Sequence, residues 1–312
     1  FRPIDPPTIK MAFAVNDGPL AGLDGKKVTA RNIWERLERE GRANVSLQVA
    51  KTDDGKIFHV TGRGGMQIAV LVEQMRREGY EVLVSRPEVL RQQDEKGKWL
   101  EPIEKVFLEV PKEAVGDVME SLAVRKGNVI NMAPAGDRMT LEALVPTRGL
   151  IGFEVELLNL TRGEGIMSHL FHEYAPDTGE IPARRTGVLV SMEDGTVTAY
   201  ALDQLQGRGR LMVVPGDKVY KGMIVGENAR DNDLPVNPVR SKHLTNIRSQ
   251  GDGKGIMLNA PMILSLERAL EYVAPDEYVE ATPATLRLRK KILDENARKR
   301  AEKQRATQLA PA

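Results

Sequence analysis

Apolar and polar positions alternate in two rhythms over the first ninety or so residues. In TIKMAFAV (8–15), Ile9, Met11 and Phe13 fall on every second position, which predicts a half-buried strand. Thr29 is placed to cap a helix running to Arg39, with Ile33, Trp34 and Leu37 as its apolar stripe. Strands over 45–50 and 57–61 follow, joined at Asp54-Gly55, a hairpin dipeptide. A second helix over 64–78 carries Ile68, Leu71, Val72 and Met75 at i, i+3, i+4 and i+7. Gly79 stops it before a strand over 81–85, so the order reads βαββαβ.

The order then repeats. A strand over 103–110 leads to a helix over 112–125 with Val115, Val118, Met119 and Leu122 on one face. A hairpin of 128–132 and 139–145, a helix over 147–161 and a strand over 165–174 complete it. Two helices on one face of a four-stranded antiparallel sheet is the ferredoxin-like plan, and two copies in tandem strengthen the reading. Beyond Pro176 the strands shorten (186–192, 196–199, 209–213, 218–225), with turns at Asp194-Gly195 and Pro215-Gly216. Even spacing of short strands predicts a β-rich small barrel or a sandwich, with the small barrel preferred. Helical pieces are predicted at 204–207, at 261–272 with Pro261 in its first turn, and at 285–304, a highly charged run. The fold class is therefore α+β, with units at 1–90, 91–177 and 178–312. Proline-bounded linkers near 87–102 and 175–182 predict that the first two units fold without the third.

One stretch fits none of these rhythms. Residues 235–255, PVNPVRSKHLTNIRSQGDGKG, open on prolines and close on glycines. Arg240, Lys242, His243, Arg248 and Lys254 face a single acid, Asp252, and apolar residues are few. A loop this long is functional or a disordered insertion. As a functional loop it reads as a basic finger for phosphates, with Ser241, Thr245, Asn246 and Asn259 donating to sugar and phosphate oxygens. Charge supports that reading. The net charge is only +1, yet 285–312 holds nine Lys/Arg against three acids, so a basic end is set on an acidic body. In the second unit Lys126, Arg138 and Arg148 stand at predicted element ends as further candidate RNA contacts, or as ordinary surface charge.

Catalytic chemistry is hard to place. Cysteine is absent, which removes disulfides, thiolate metal sites and cysteine nucleophiles. No P-loop spacing occurs; the turn 61–65, TGRGG, has Gln67 where a dinucleotide fingerprint needs glycine. His169 and His172 are three apart in a predicted strand, on opposite faces, and cannot share an ion. Thus no catalytic, cofactor-binding or metal site is assigned. No apolar run is long enough to span a membrane. The opening FRPIDPPT reads as the middle of a longer protein.

Two ferredoxin-like units without a P-loop resemble the later domains of translational GTPases such as elongation factor G. VPTRGLIGFEVELLNLTRGEGIMSHLFHEY (145–174) is similar to that family's "LT.G.G......F..Y" segment. TGRGGMQIAVLVEQMRREGYEV (61–82) resembles its "SG.GELHL" turn and helix, departing at Gly65 and Gln67, where the family has an acid and a histidine. TGVLVSMEDGTVTAYAL, LQGRGRLMVVPGDKVYKGMIVGE and KHLTNIRS, in the last third, resemble a ribosome-associated bacterial member of the family. The resemblance implies a cytoplasmic, monomeric, ribosome-binding half with a role in ribosome function or assembly and in stress response. Its implied partners are large-subunit rRNA, the acceptor end of A-site tRNA and ribosomal proteins. GTP, Mg²⁺ and hydrolysis would belong to a guanine-nucleotide domain upstream, with no cofactor in this chain. The alternative is a protein-interaction scaffold without RNA contact.

Overall fold

A computed structural model describes residues 7–179, 181, 184, 186–241 and 256–309. The first unit runs β1 (Ile9–Val15), α1 (Ala30–Ala43), β2 (Gln48–Lys51), β3 (Ile57–Gly62), α2 (Gly65–Arg77) and β4 (Val82–Ser85). Thr29 caps α1 by accepting from Asn32 N. The i, i+3, i+4, i+7 stripe of α2 is fully buried, and Gly79 ends the helix at φ 87°. Strand order is β4-β1-β3-β2, the ferredoxin-like arrangement.

Two short strands, β5 (Glu88–Val89) and β6 (Gln92–Gln93), lead into the second unit. It comprises β7 (Trp99–Pro111), α3 (Val115–Val124), β8 (Asn128–Ala135), β9 (Arg138–Pro146), α4 (Thr147–Leu150), α5 (Phe153–Leu160) and β10 (Ile166–Pro176). The order β10-β7-β9-β8 repeats the first unit's. The continuous helix read over 147–161 is instead broken: Gly152 has φ 77° between α4 and α5. Arg125 at the end of α3 donates to the carbonyls of Gly149 (2.7 Å) and Ile151 (3.0 Å), oxygens an unbroken helix would use internally. Met119, read as part of the α3 core face, is 38% exposed, while Val118 and Leu122 are buried.

The third unit contains β11 (Val188–Ser191), β12 (Gly195–Thr196), α6 (Ala199–Leu205), β13 (Gly209–Leu211), β14 (Lys218–Val219), β15 (Met223–Asn228) and β16 (Leu234–Val236). It continues with α7 (Leu266–Tyr272), β17 (Glu277–Ala281), β18 (Leu286–Lys290) and α8 (Glu295–Leu309). Among the described residues the strands do not close into a small barrel. β17 pairs with β4, Val279 opposite Val84, and merges both units into one eleven-stranded sheet. One apolar core runs through the junction, from Phe13 and Ile68 to Leu270, Val279 and Leu288. The second unit keeps a core of its own around Val106, Leu122, Val145 and Phe153.

Two helix assignments shift. The helix read over 261–272 starts only at Leu266, capped by Ser265. The helix read over 285–304 begins at Glu295, because 286–290 forms β18. Its cations look solvated in sequence, but they are themselves largely buried against acids: Arg287 reaches buried Glu280 (2.6 Å) and Asp24 (2.8 Å), and Arg289 reaches Asp17 (2.8 Å).

Candidate nucleic-acid interface

The polar loop leaves and rejoins the fold at the two ends of α6. On the outgoing side, β16 pairs in parallel with β11, and Thr198 N donates to Pro238 O (3.1 Å). Thr198 Oγ1 caps α6 by accepting from Ala201 N and donates to Arg240 O (2.6 Å). On the returning side, Gln206 Nε2 donates to Met257 O (3.1 Å), while Gln206 Oε1 accepts from Asn259 N (3.1 Å). Val239 and Leu258 then pack on the core formed by Leu202, Leu205 and Val219. A short helix therefore serves as a clamp, one residue at each end holding one strand of the loop.

Arg240 and Ser241 are exposed at the outgoing root. Lys242, His243, Thr245, Asn246, Arg248 and Lys254 lie outside the described residues. Sequence reasoning overlooked three cations beside the clamp: Arg208, Arg210 and Lys218 are exposed, and none makes an ion pair among the described residues. Lys218 sits opposite Thr196, two residues before Thr198. The GRGR run at 207–210 carried the signal, but it was divided between the helical piece at 204–207 and the strand at 209–213. At the returning root, Met257 is 87% and Ile263 82% exposed, so the cations stand beside bare apolar surface.

The second unit's candidates part company. Lys126 is exposed at φ 61°, with no ion pair among the described residues. Arg138 instead pairs with Glu109 (2.9 Å) and donates to Glu164 O. Arg148 turns inward: it pairs with fully buried Glu101 and with Asp177 (3.0 Å), and donates to Gly179 O. Burial pulls the Glu101 carboxyl up, but Arg148 and Thr178 outweigh it and hold it below the usual range. Arg148 so placed locks β7 to the segment after β10, and Arg138 braces β9; neither offers a free fork to a phosphate.

The histidines keep separate partners. His169 Nδ1 meets Glu104, which also accepts from Thr147 Oγ1 (2.8 Å), and His172 lies 3.9 Å from Glu173. Asp233, Asp276 and Glu277 come close enough to share a cation. The Lys290 ammonium already stands among them, at 2.5, 2.8 and 2.8 Å.

A family profile described as TypA/BipA C-terminal domain matches residues 186–295, and one described as Elongation factor G C-terminus matches 98–185. The large ribosomal subunit assembly factor BipA of Bacillus subtilis (strain 168) is 47% identical over 306 residues, covering 97% of this chain and 50% of that protein. The chain belongs to the BipA family. The BipA of Synechocystis sp. (strain ATCC 27184 / PCC 6803 / Kazusa) is 46% identical, across 92% of this chain and 48% of its own. The chain spans about half the length of the curated BipA relatives it matches. A crystal structure of ttk003000868 from Thermus thermophilus aligns at TM-score 0.38 and 15% identity, over 57% of this chain and 42% of its own, too loosely to bear on the assignment. Among the described residues no helix is long and apolar enough to cross a membrane.

Proposed function

We propose that this chain is an RNA-binding module that docks on the large ribosomal subunit, and that the loop clamped by Thr198 and Gln206 is its probe. The reading rests above all on the clustering around that loop's two roots of Arg208, Arg210, Lys218 and Arg240, which make no ion pair among the described residues. Four such cations close to one loop raise the local positive potential, which attracts phosphate. The relatives carry the name large ribosomal subunit assembly factor, which supplies the class of RNA. Folded rRNA presents phosphates and 2′-hydroxyls, which suit guanidinium and amide donors more than stacking platforms. Aromatics make up only 4% of the chain, in keeping with that mode.

In this reading the loop extends toward the acceptor end of A-site tRNA, and the cytoplasmic protein acts here as a monomer. Binding is the chain's contribution; GTP and Mg²⁺ chemistry falls to the half of the BipA relatives that it does not span. The test is affinity for purified large subunits across a salt series. A linear loss of log affinity with log salt supports the assignment. Salt-independent binding, or binding that survives nuclease digestion of the rRNA, favours the scaffold reading.

A further inference from the structure

Arg86 follows β4 and lies on the wall of two neighbouring cavities, of about 670 and 250 Å³, which also share Arg148 and Ile151. The larger opens between α3 and α5 of the second unit and α7 of the third, and Arg184 lines it. The arginines around Arg86 are matched: Arg148 by Glu101, Arg125 by Glu156, Arg184 by Glu277 and Arg91 by Asp177. Arg86 is not. Half-buried, its guanidinium has no hydrogen-bond or ion-pair partner among the described residues. Burial, and then the positive charge of Arg184, push its pKa down, and no carboxylate counters them. Arg184 cannot turn away, because it is fixed by Glu277 (2.9 and 3.0 Å), by Thr186 O (2.9 Å) and by the Tyr272 ring 4.6 Å beneath it.

A half-buried guanidinium that has lost part of its water and faces a second cation is favoured by an anion that completes it. We propose that this cleft binds a phosphate group, with Arg86 as its forked ligand and the fixed charge of Arg184 behind it. Planar guanidinium donors match phosphate oxygens two at a time. The acids of the cleft are placed away from it: Glu156 is taken by Arg125 and Ser121, Glu271 lies against Gly152 at the break between α4 and α5, where burial raises its pKa and so disfavours its charge, and Asp117 and Glu120 are exposed on α3. The phosphate therefore sits at the Arg86 end. Leu160, Ile181 and Tyr272 supply apolar wall for the organic part of an ester. A cavity of about 670 Å³ has room for a mononucleotide, and it is open enough for a phosphodiester of an RNA strand. Either source presents the same group. The site does not depend on the loop, so it stands or falls separately from the function proposed above.

The experiment titrates the chain with inorganic pyrophosphate and, separately, with a short oligouridylate lacking terminal phosphates. Arg86→Gln, Arg86→Lys and the exposed control Arg42→Gln are compared with the parent. Pyrophosphate should bind and raise the melting temperature, as a ligand of the native state must. Arg86→Gln should weaken it by roughly tenfold or more, Arg86→Lys should retain part of the affinity, and Arg42→Gln should match the parent. The unliganded Arg86→Gln protein should melt no lower than the parent, since a half-buried charge without a carboxylate partner has been removed. If pyrophosphate does not bind but Arg86→Gln weakens the oligouridylate, the phosphate is a diester and the site holds. If neither probe responds to Arg86→Gln, or if that variant only lowers the melting temperature, the proposal is overturned.

Discussion

Lys290 Nζ lies 2.8 Å from a carboxylate oxygen of Glu277, and both side chains are shut off from solvent. Burial disfavours the ammonium, but Glu277, Asp233 and Asp276 outweigh it and raise its pKa, so it stays charged. Arg184 holds the other face of Glu277, tying the segment before β11 to β17 and β18. Such networks add little over a well-packed apolar core, yet removing one member is costly. Lys290→Met should therefore destabilise the chain by about 3–5 kcal/mol, seen as a lower urea midpoint at unchanged slope. A shift no larger than the roughly 0.5 kcal/mol of an ordinary surface change would rule out that role.

The pairing of β4 with β17 alters where the chain can be cut. The first unit shares its sheet and core with the third, through Val84, Val279, Ile68 and Leu270, whereas the second has its own core. Residues 91–177 alone should fold cooperatively. Residues 1–90 alone should not, because β4 becomes an open edge and α2 no longer packs on α7. Thermal unfolding of the two pieces decides the matter; a cooperative transition for 1–90 would refute it.

This is also where legibility in sequence ends. Both βαββαβ units were readable because each local signal agreed with the next: the Thr29 cap, the Ile68–Met75 stripe, the stop at Gly79. The sheet junction was not, because β17 and β4 are nearly two hundred residues apart and neither carries a mark of its partner. β18 was misread for a related reason. Arg287, Arg289 and Lys290 look like a solvated helix face until Glu280, Asp17 and Glu277 are brought against them. The loop was visible as a composition anomaly, while its clamp was not: Thr198 and Gln206 are commonplace residues whose roles exist only once both loop ends return to α6.

His169 gives a pH-dependent test. Its hydrogen bond to Glu104 raises the imidazole pKa, burial opposes this, and charge attraction from Glu104 adds to the rise. A raised folded-state pKa contributes stability that is complete below the unfolded value of about 6.5 and is lost as pH climbs through the folded value. His169→Gln should therefore melt below the parent at pH 5–6, a gap that narrows as pH rises past the parent's raised pKa. Parallel melting curves across that range would show that the pair is not coupled to folding.

The loop clamp separates affinity from stability. Gln206→Ala removes two hydrogen bonds at the exposed returning root and one to Asp203, so its cost should be no more than about 1–2 kcal/mol. Without the clamp the returning root at 257–259 is held less firmly in the unbound protein, and fixing it again opposes binding. Ribosome affinity should therefore fall while the salt slope is retained, because every phosphate-binding cation is still present. Arg208→Ala with Arg210→Ala should do the reverse: leave the fold intact, weaken binding and flatten the log–log slope by somewhat under one unit for each phosphate no longer neutralised. Replacing Arg240, Lys242, Arg248 and Lys254 together should flatten it further. The three variants, measured against large subunits at several salt concentrations, distinguish a positioned basic probe from an indifferent insertion. If the clamp variant changes nothing and the arginine variants keep the parent's slope, the loop and its root do not meet phosphate.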